Sequence, residues 1–267
     1  MSARSKGLSY RVIAGVVRPL LMATTRRDWR GTEHLLGEGG FVVCSNHLSY
    51  ADPLTLAHFL HDHGCPPRFL AKESLFRLPV AGRLITAAGQ IPVHRGTADA
   101  GRALSSAVEA VEAGECVVIY PEATLTRDPG LWPMAGKTGA ARVALSTGCP
   151  VIPVAQWGVT DLLAPYGKRP HVIPRPTVRL VAGPPVDLSA FRDSPMDPPT
   201  LRAATETILD AVTRLLADLR QEEPPATRWR HVPERASTEP RPGDGDAGTT
   251  GVGDGDAGTT SGGQPGR

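Results

Sequence analysis

No run of about 18 apolar residues occurs in this chain, so no ordinary membrane-spanning helix is expected. Cysteine is sparse and scattered. Cys44, Cys65, Cys116 and Cys149 form no Cys-x-x-Cys pair and read as free thiols in a reducing compartment. Aromatic residues make up only 5% of the chain, and no nucleic-acid-binding motif is readable, which argues against a nucleic-acid partner. Net charge is only +2, so overall charge names no polyanionic or polycationic partner. The apolar run 8–23 does not read as a secretory signal, because Arg18 and Pro19 interrupt it.

What is present is unevenly placed. Residues 1–30 carry Arg4, Lys6, Arg11, Arg18, Arg26, Arg27 and Arg30 against Asp28, a local charge of +6. With the apolar run 8–23, this reads as a basic amphipathic segment for an anionic membrane interface, broken or kinked at Pro19; packing on the domain's own core is the competing reading. Residues 222–267 are rich in Pro, Gly, Thr and Asp, contain GDGDAGTT twice, and offer almost nothing to bury; the sequence predicts a disordered tail. Residues 31–221 are left as a single domain.

Within that domain, short apolar runs alternate with helical patterns. GFVVC at 40–44, RFLA at 68–71, CVVIY at 116–120, VIPVA at 151–155 and TVRLV at 177–181 read as strands. Helices are expected from Pro53, with Asp52 or Ala51 at the start, over 98–113, over 137–147, and along the stripe Leu201, Ala204, Ile208, Leu209, Val212, Leu215, Leu216 and Leu219. The expectation is an α/β fold, a largely parallel central sheet flanked by helices, with an N-terminal amphipathic segment.

Three stretches carry chemistry. His47 and Asp52 flank the turn between the first strand and the following helix, where an imidazole and a carboxylate can converge into a base and its orienter. A helix-starting Asp52 beside an unreactive loop histidine satisfies the same spacing. Arg95 follows a short apolar piece, and guanidinium suits a bidentate phosphate contact. Tyr120, Glu122, Thr124 and Arg127 follow a buried strand, at the strand end where parallel α/β sheets collect ligands. Packing within the loop is the competing role for Glu122.

Taken in order, these blocks resemble the glycerophospholipid acyltransferase family, which includes the bacterial lysophosphatidate acyltransferases. Asn46-His47-x4-Asp52 is similar to its His-x4-Asp motif, Val93-His94-Arg95 to its second block, Tyr120-Pro-Glu-Ala-Thr124 to its third, and Val151-Ile-Pro-Val154 to its fourth. Ala71-Lys72-Glu73 resembles a further lysine segment. The third block departs from the usual Phe-Pro-Glu-Gly-Thr-Arg-Ser, with Ala123 for glycine and Leu125 for arginine.

The resemblance makes 31–221 an acyltransferase domain. It implies transfer of a fatty acyl group from acyl-CoA or acyl carrier protein to the free hydroxyl of 1-acylglycerol 3-phosphate. His47 and Asp52 would be catalytic. Lys72, Arg95, Glu122, Thr124 and Arg127 would bind substrate, with Arg127 supplying the charge that Leu125 lacks. No metal and no redox cofactor is implied. The expected partners are an anionic membrane surface, a lysophospholipid acceptor and the acyl-CoA or carrier-protein donor, met peripherally at the cytoplasmic face of the cell membrane. Glycerol 3-phosphate, another lysophospholipid or a glycolipid are alternative acceptors. Two rivals stand outside the family. His58, His61, His63 and Cys65 are dense enough for a zinc site, and the basic N-terminus alone would serve a non-catalytic lipid-binding protein.

Overall fold

The computed structural model describes residues 7–35, 37, 39–93 and 100–230. All of them fall within one compact unit, Met1–His231; the second, Val232–Arg267, lies outside the described residues, as do both GDGDAGTT repeats and Arg95.

The strands are β1 (Arg26–Arg30), β2 (Phe41–Ser45), β3 (Pro67–Lys72), β4 (Ile91–Val93), β5 (Cys116–Ile119), β6 (Val151–Trp157) and β7 (Thr177–Ala182). They form one seven-stranded sheet in the order β1-β7-β6-β2-β5-β3-β4. Every pairing is parallel except β6 with β7. The helices are α1 (Leu8–Thr24), α2 (Asp52–Asp62), α3 (Glu73–Phe76), α4 (Ala81–Ala87), α5 (Ala100–Glu112), α6 (Gly139–Thr147), α7 (Val159–Leu162) and α8 (Pro198–Arg220).

The central strands read as unbroken apolar runs because both faces of the sheet are covered. In β2, Val42 and Cys44 face the core packed by α5, α6 and α8, while Phe41 and Val43 face the core packed by α2. Val117 and Ile119 of β5 alternate with Cys116 and Val118 in the same way. Gly40 lets β2 begin directly beneath α5: a Cβ there would lie 1.9 Å from the Val111 carbonyl oxygen. The long α8 begins with an Asp197 side chain that accepts the Thr200 amide at 2.9 Å, and buries Leu201, Ala204, Ile208, Leu209, Val212 and Leu216.

Three expectations are corrected. The boundary expected after residue 30 cuts through structure, since β1 pairs with β7 from Arg26↔Thr177 to Arg30↔Val181. The tail expected from residue 222 starts too early: the Ala135 amide donates to the Trp229 carbonyl at 3.0 Å, and Arg228 pairs with Glu206 and Asp210 on α8. Pro19 does not end α1, which runs through it to Thr24. Of the two residues expected at the start of α2, Ala51 holds the cap position and Asp52 is the first helical residue.

Candidate active site

β2 and β5 are neighbours in the sheet, with β3 beyond β5, so their carboxyl ends open onto one place. After Ser45 the chain leaves β2 through Asn46, whose side chain donates to the Gln156 carbonyl at 3.0 Å and accepts the Gln156 amide at 2.9 Å. That double bond to β6 fixes the exit of β2, and the next residue is His47.

His47 Nδ1 lies 2.9 Å from Asp52 Oδ2. The same oxygen accepts the backbone amides of Leu48 and Ser49. Three donors on one oxygen of a fully buried carboxylate leave it little freedom to turn. Burial pushes the Asp52 carboxyl up, while the imidazole and the two amides pull it back down. The imidazole is also held from its face, since its ring stacks on Tyr120 at 4.1 Å and 18°.

Glu122 occupies a different position from the expected substrate contact. It is 5% exposed; one carboxyl oxygen accepts the His47 amide at 3.1 Å and the other the Met134 amide at 2.9 Å. It therefore braces the loop that carries His47 against the segment before α6. Burial pushes its carboxyl up to about 8, although both amides oppose the rise. Ala123, where the family usually has glycine, stands in the left-handed region at φ 57°, and the Thr126 amide then closes back on the His47 carbonyl at 2.7 Å.

A cavity of about 1190 Å³ opens beside His47. Its walls are mainly apolar, supplied by Ile13 and Val17 of α1, Leu54 of α2, Phe69 of β3, Leu84 of α4 and Leu104 of α5. Lys72 and Thr124 line it, and so does Lys137. Arg127 is exposed and does not line it. Among the described residues, no aspartate or glutamate lines this cavity. The α1 wall is fastened to α2 by Arg18 on Asp62 at 2.7 Å and by Tyr10 Oη on His61 Nδ1 at 3.3 Å.

The histidines considered for zinc have separate partners. His58 Nε2 lies 3.5 Å from Asp62, His61 meets Tyr10, His63 Nδ1 meets the Phe59 carbonyl at 2.7 Å, and Cys65 donates to the Leu35 carbonyl at 3.3 Å. Among the described residues, no three His, Cys, Asp or Glu side chains gather into a metal-binding set. No helix of the described residues is long and apolar enough to cross a membrane.

Comparison with known proteins places this geometry. The family model described as Acyltransferase matches residues 26–157, from β1 through β6. A 1-acyl-sn-glycerol-3-phosphate acyltransferase of Borreliella burgdorferi is 30% identical over 132 residues, 49% of this chain and 51% of that protein. A lyso-ornithine lipid O-acyltransferase of Pseudomonas aeruginosa is 32% identical over 126 residues, 46% of each chain. A 1-acyl-sn-glycerol-3-phosphate acyltransferase of Bacillus subtilis is 23% identical over 206 residues, 77% of this chain and 96% of that one. The matches thus span about half the length of the first two relatives. In fold, the chain is like the crystal structure of the 1-acyl-sn-glycerophosphate acyltransferase of Thermotoga maritima, with a TM-score of 0.60, 24% identity and 81% of each chain covered. Motif order, sheet and matched residues agree in their likeness: over residues 26–157 the chain is similar to the acyltransferases.

Proposed function

We propose that this chain transfers a fatty acyl group from the thioester of acyl-CoA or acyl carrier protein to the free hydroxyl of 1-acylglycerol 3-phosphate, giving phosphatidate. The observation that carries the reading is the His47–Asp52 pair opening onto a large apolar cavity that has cations and, among the described residues, no acid on its wall. Such a wall suits an anionic lipid and repels no carboxylate-free acyl chain.

His47 Nε2 takes the proton of the acceptor hydroxyl as its oxygen attacks the thioester carbonyl carbon. The Nδ1–H donates to Asp52, which fixes the tautomer and stabilises the imidazolium. The tetrahedral intermediate collapses, the carbon–sulfur bond breaks, and the thiolate leaves with the proton returned by the imidazolium. The intermediate's oxyanion needs donors that are not already engaged. At the start of α2 the Leu48, Ser49, Ala51 and Asp52 amides all have acceptors, so none of these four supplies them. No metal or redox cofactor takes part in this reading.

The setting is peripheral. On α1, Leu8, Val12, Val16 and Leu20 recur every fourth residue and are 76%, 59%, 65% and 59% exposed, while the neighbouring face of the same helix lines the cavity. An apolar stripe in a segment of net charge +6 fits an anionic bilayer, from which the acceptor enters and to which the product returns. A lyso-ornithine relative favours one alternative, a different lysolipid acceptor. Purified chain incubated with labelled acyl-CoA and a panel of lysolipids tests both: phosphatidate as main product supports the proposal, and acylation of only phosphate-free acceptors overturns it.

A further inference from the structure

This inference rests on the acyltransferase reading and names the residue that recognises the acceptor's headgroup. In 1-acylglycerol 3-phosphate the reacting hydroxyl and the phosphate sit on adjacent carbons. A cation for that phosphate must therefore stand on the wall immediately beside the base. The arginine that the third family block usually offers is Leu125 here, 3% exposed on the cavity wall and unable to bind an anion. Arg127, two residues on, is exposed and off the wall.

The described cavity wall holds three permanent cations: Arg18, Lys72 and Lys137. Arg18 is already engaged by Asp62 through two hydrogen bonds, at 2.7 and 3.2 Å. Lys72 ends β3, one strand farther from β2 than β5 is. Lys137 is tied next to the base. Its amide donates to the Pro121 carbonyl at 2.8 Å, and Pro121 follows Tyr120, whose ring stacks on His47 at 4.1 Å. The Lys137 side chain is exposed and makes no ion pair with any described residue. Thr138 and Gly139 continue the same wall, and the Thr138 hydroxyl makes no capping bond to α6, which leaves it available to a ligand.

We propose that Lys137 binds the acceptor's phosphate in this chain, taking over the work of the missing third-block arginine. A lysine ammonium on a flexible stem meets phosphate as a point charge and does not need the fixed fork of a guanidinium. Thr138 adds a neutral donor on the same side. Among the described residues no acid lines the wall to compensate this charge.

The test is steady-state kinetics of the full chain with acyl-CoA and 1-acylglycerol 3-phosphate, comparing wild type with Lys137→Met and Lys137→Arg. Among the described residues only the Lys137 backbone is bonded, so neither substitution removes a bond seen there. Loss of a charge-assisted contact is expected to lower kcat/KM for the acceptor roughly ten- to a hundredfold. The change should lie mainly in the acceptor's KM, with the donor's KM unmoved and most of the loss recovered in Lys137→Arg. An unchanged acceptor KM in Lys137→Met overturns the assignment. A raised donor KM instead overturns it too, by giving Lys137 to the phosphates of the thioester carrier. Wild-type chain that acylates other lysolipids but never 1-acylglycerol 3-phosphate removes the functional reading, and this assignment with it.

Discussion

Asp52 holds His47 through the same carboxylate oxygen that gathers the Leu48 and Ser49 amides, so the residue that orients the imidazole also fastens its loop. The two duties are separable by substitution. His47→Ala should reduce acyl transfer by roughly 10²–10⁴ with the fold intact, since general-base catalysis contributes about that much. Asp52→Asn keeps an oxygen for the two amides but loses the charge that stabilises the imidazolium, so kcat should fall and the melting temperature should change little. Asp52→Ala leaves two buried amides without an acceptor, at about 1–3 kcal/mol each, and should lower both. Kinetics and thermal melts on the three variants check this; a His47→Ala protein with near wild-type turnover would sink the mechanism.

Ala123 is a local departure with a measurable cost. A non-glycine residue in the left-handed region costs roughly 1–2 kcal/mol, and Ala123 is held there at φ 57°. Ala123→Gly relieves that strain but adds about 0.4–1 kcal/mol of unfolded-chain entropy to be lost on folding. Strain is the larger of the two, so the variant should be more stable than wild type by about 0.5–1 kcal/mol. Urea denaturation at constant slope reads the difference, and a destabilised Ala123→Gly would show that the backbone strain is absorbed elsewhere.

The parts legible in the sequence were those governed by local pattern. The two-faced burial of Phe41–Ser45 and Cys116–Ile119 makes them continuous apolar runs, and the stripe of Pro198–Arg220 has helical period. His47 and Asp52 were legible because a strand-to-helix turn of that length brings them together. β1 was not legible: Arg26–Arg30 is a charged edge strand whose only sheet partner, β7, lies some 150 residues away in sequence, as Arg26↔Thr177 shows. The role of Glu122 was hidden too, since a carboxylate that accepts amides at positions 47 and 134 has the same sequence signature as one that touches substrate. Lys137 carried a weak signal, a lysine at the first position of the helix expected over 137–147, and only the bond of its amide to Pro121 brings it near His47.

Glu122 should make stability depend on pH. Its unfolded carboxyl titrates near 4.5, whereas in the fold burial raises it to about 8. Between those values the native state binds a proton that the unfolded state has released, so stability falls as pH rises through this window and levels off above it. Glu122→Gln cannot ionise. It gives up one amide contact, because its NH₂ faces an N–H, so it should be less stable near pH 5. Its stability should also change less from pH 5 to 8 than that of wild type. Parallel pH-dependent slopes in the two proteins would show that Glu122 is ionised throughout.

The boundary of the folded unit near residue 230 is open to truncation. A chain ending at Arg230 keeps Arg228 on Glu206 and Asp210 and the Trp229 carbonyl on Ala135, and it loses only residues whose sequence offers little to bury. A chain ending at Glu222 loses all of these contacts. The first should keep the melting temperature and activity of the full chain, and the second should melt lower by a few degrees. Equal melting of the two would make the 222–230 contacts energetically idle.

The residue spacing that turns one face of α1 to the cavity leaves an apolar stripe on the other, and membrane attachment through that stripe is testable. Tyr10, Ile13, Ala14, Val17 and Arg18 face the cavity, so the helix cannot be removed without opening the site. Leu8, Val12, Val16 and Leu20 lie on the exposed side. Polar substitution of those four should therefore detach the protein from lipid while leaving the cavity wall and the Arg18–Asp62 pair in place. Burying each such side chain in a bilayer is worth about 1.5–3 kcal/mol at full burial, more than the roughly 1 kcal/mol that each cation near the surface supplies, and unlike that charge it is not screened within about 8 Å at physiological salt. Sedimentation with vesicles of phosphatidylglycerol and phosphatidylcholine should be strong for wild type and weaken with salt. It should be largely lost in Leu8→Ser/Val12→Ser/Val16→Ser/Leu20→Ser, whereas activity toward detergent-dispersed acceptor should persist. If the quadruple variant sediments as wild type does, the lipid-facing surface lies elsewhere on the domain.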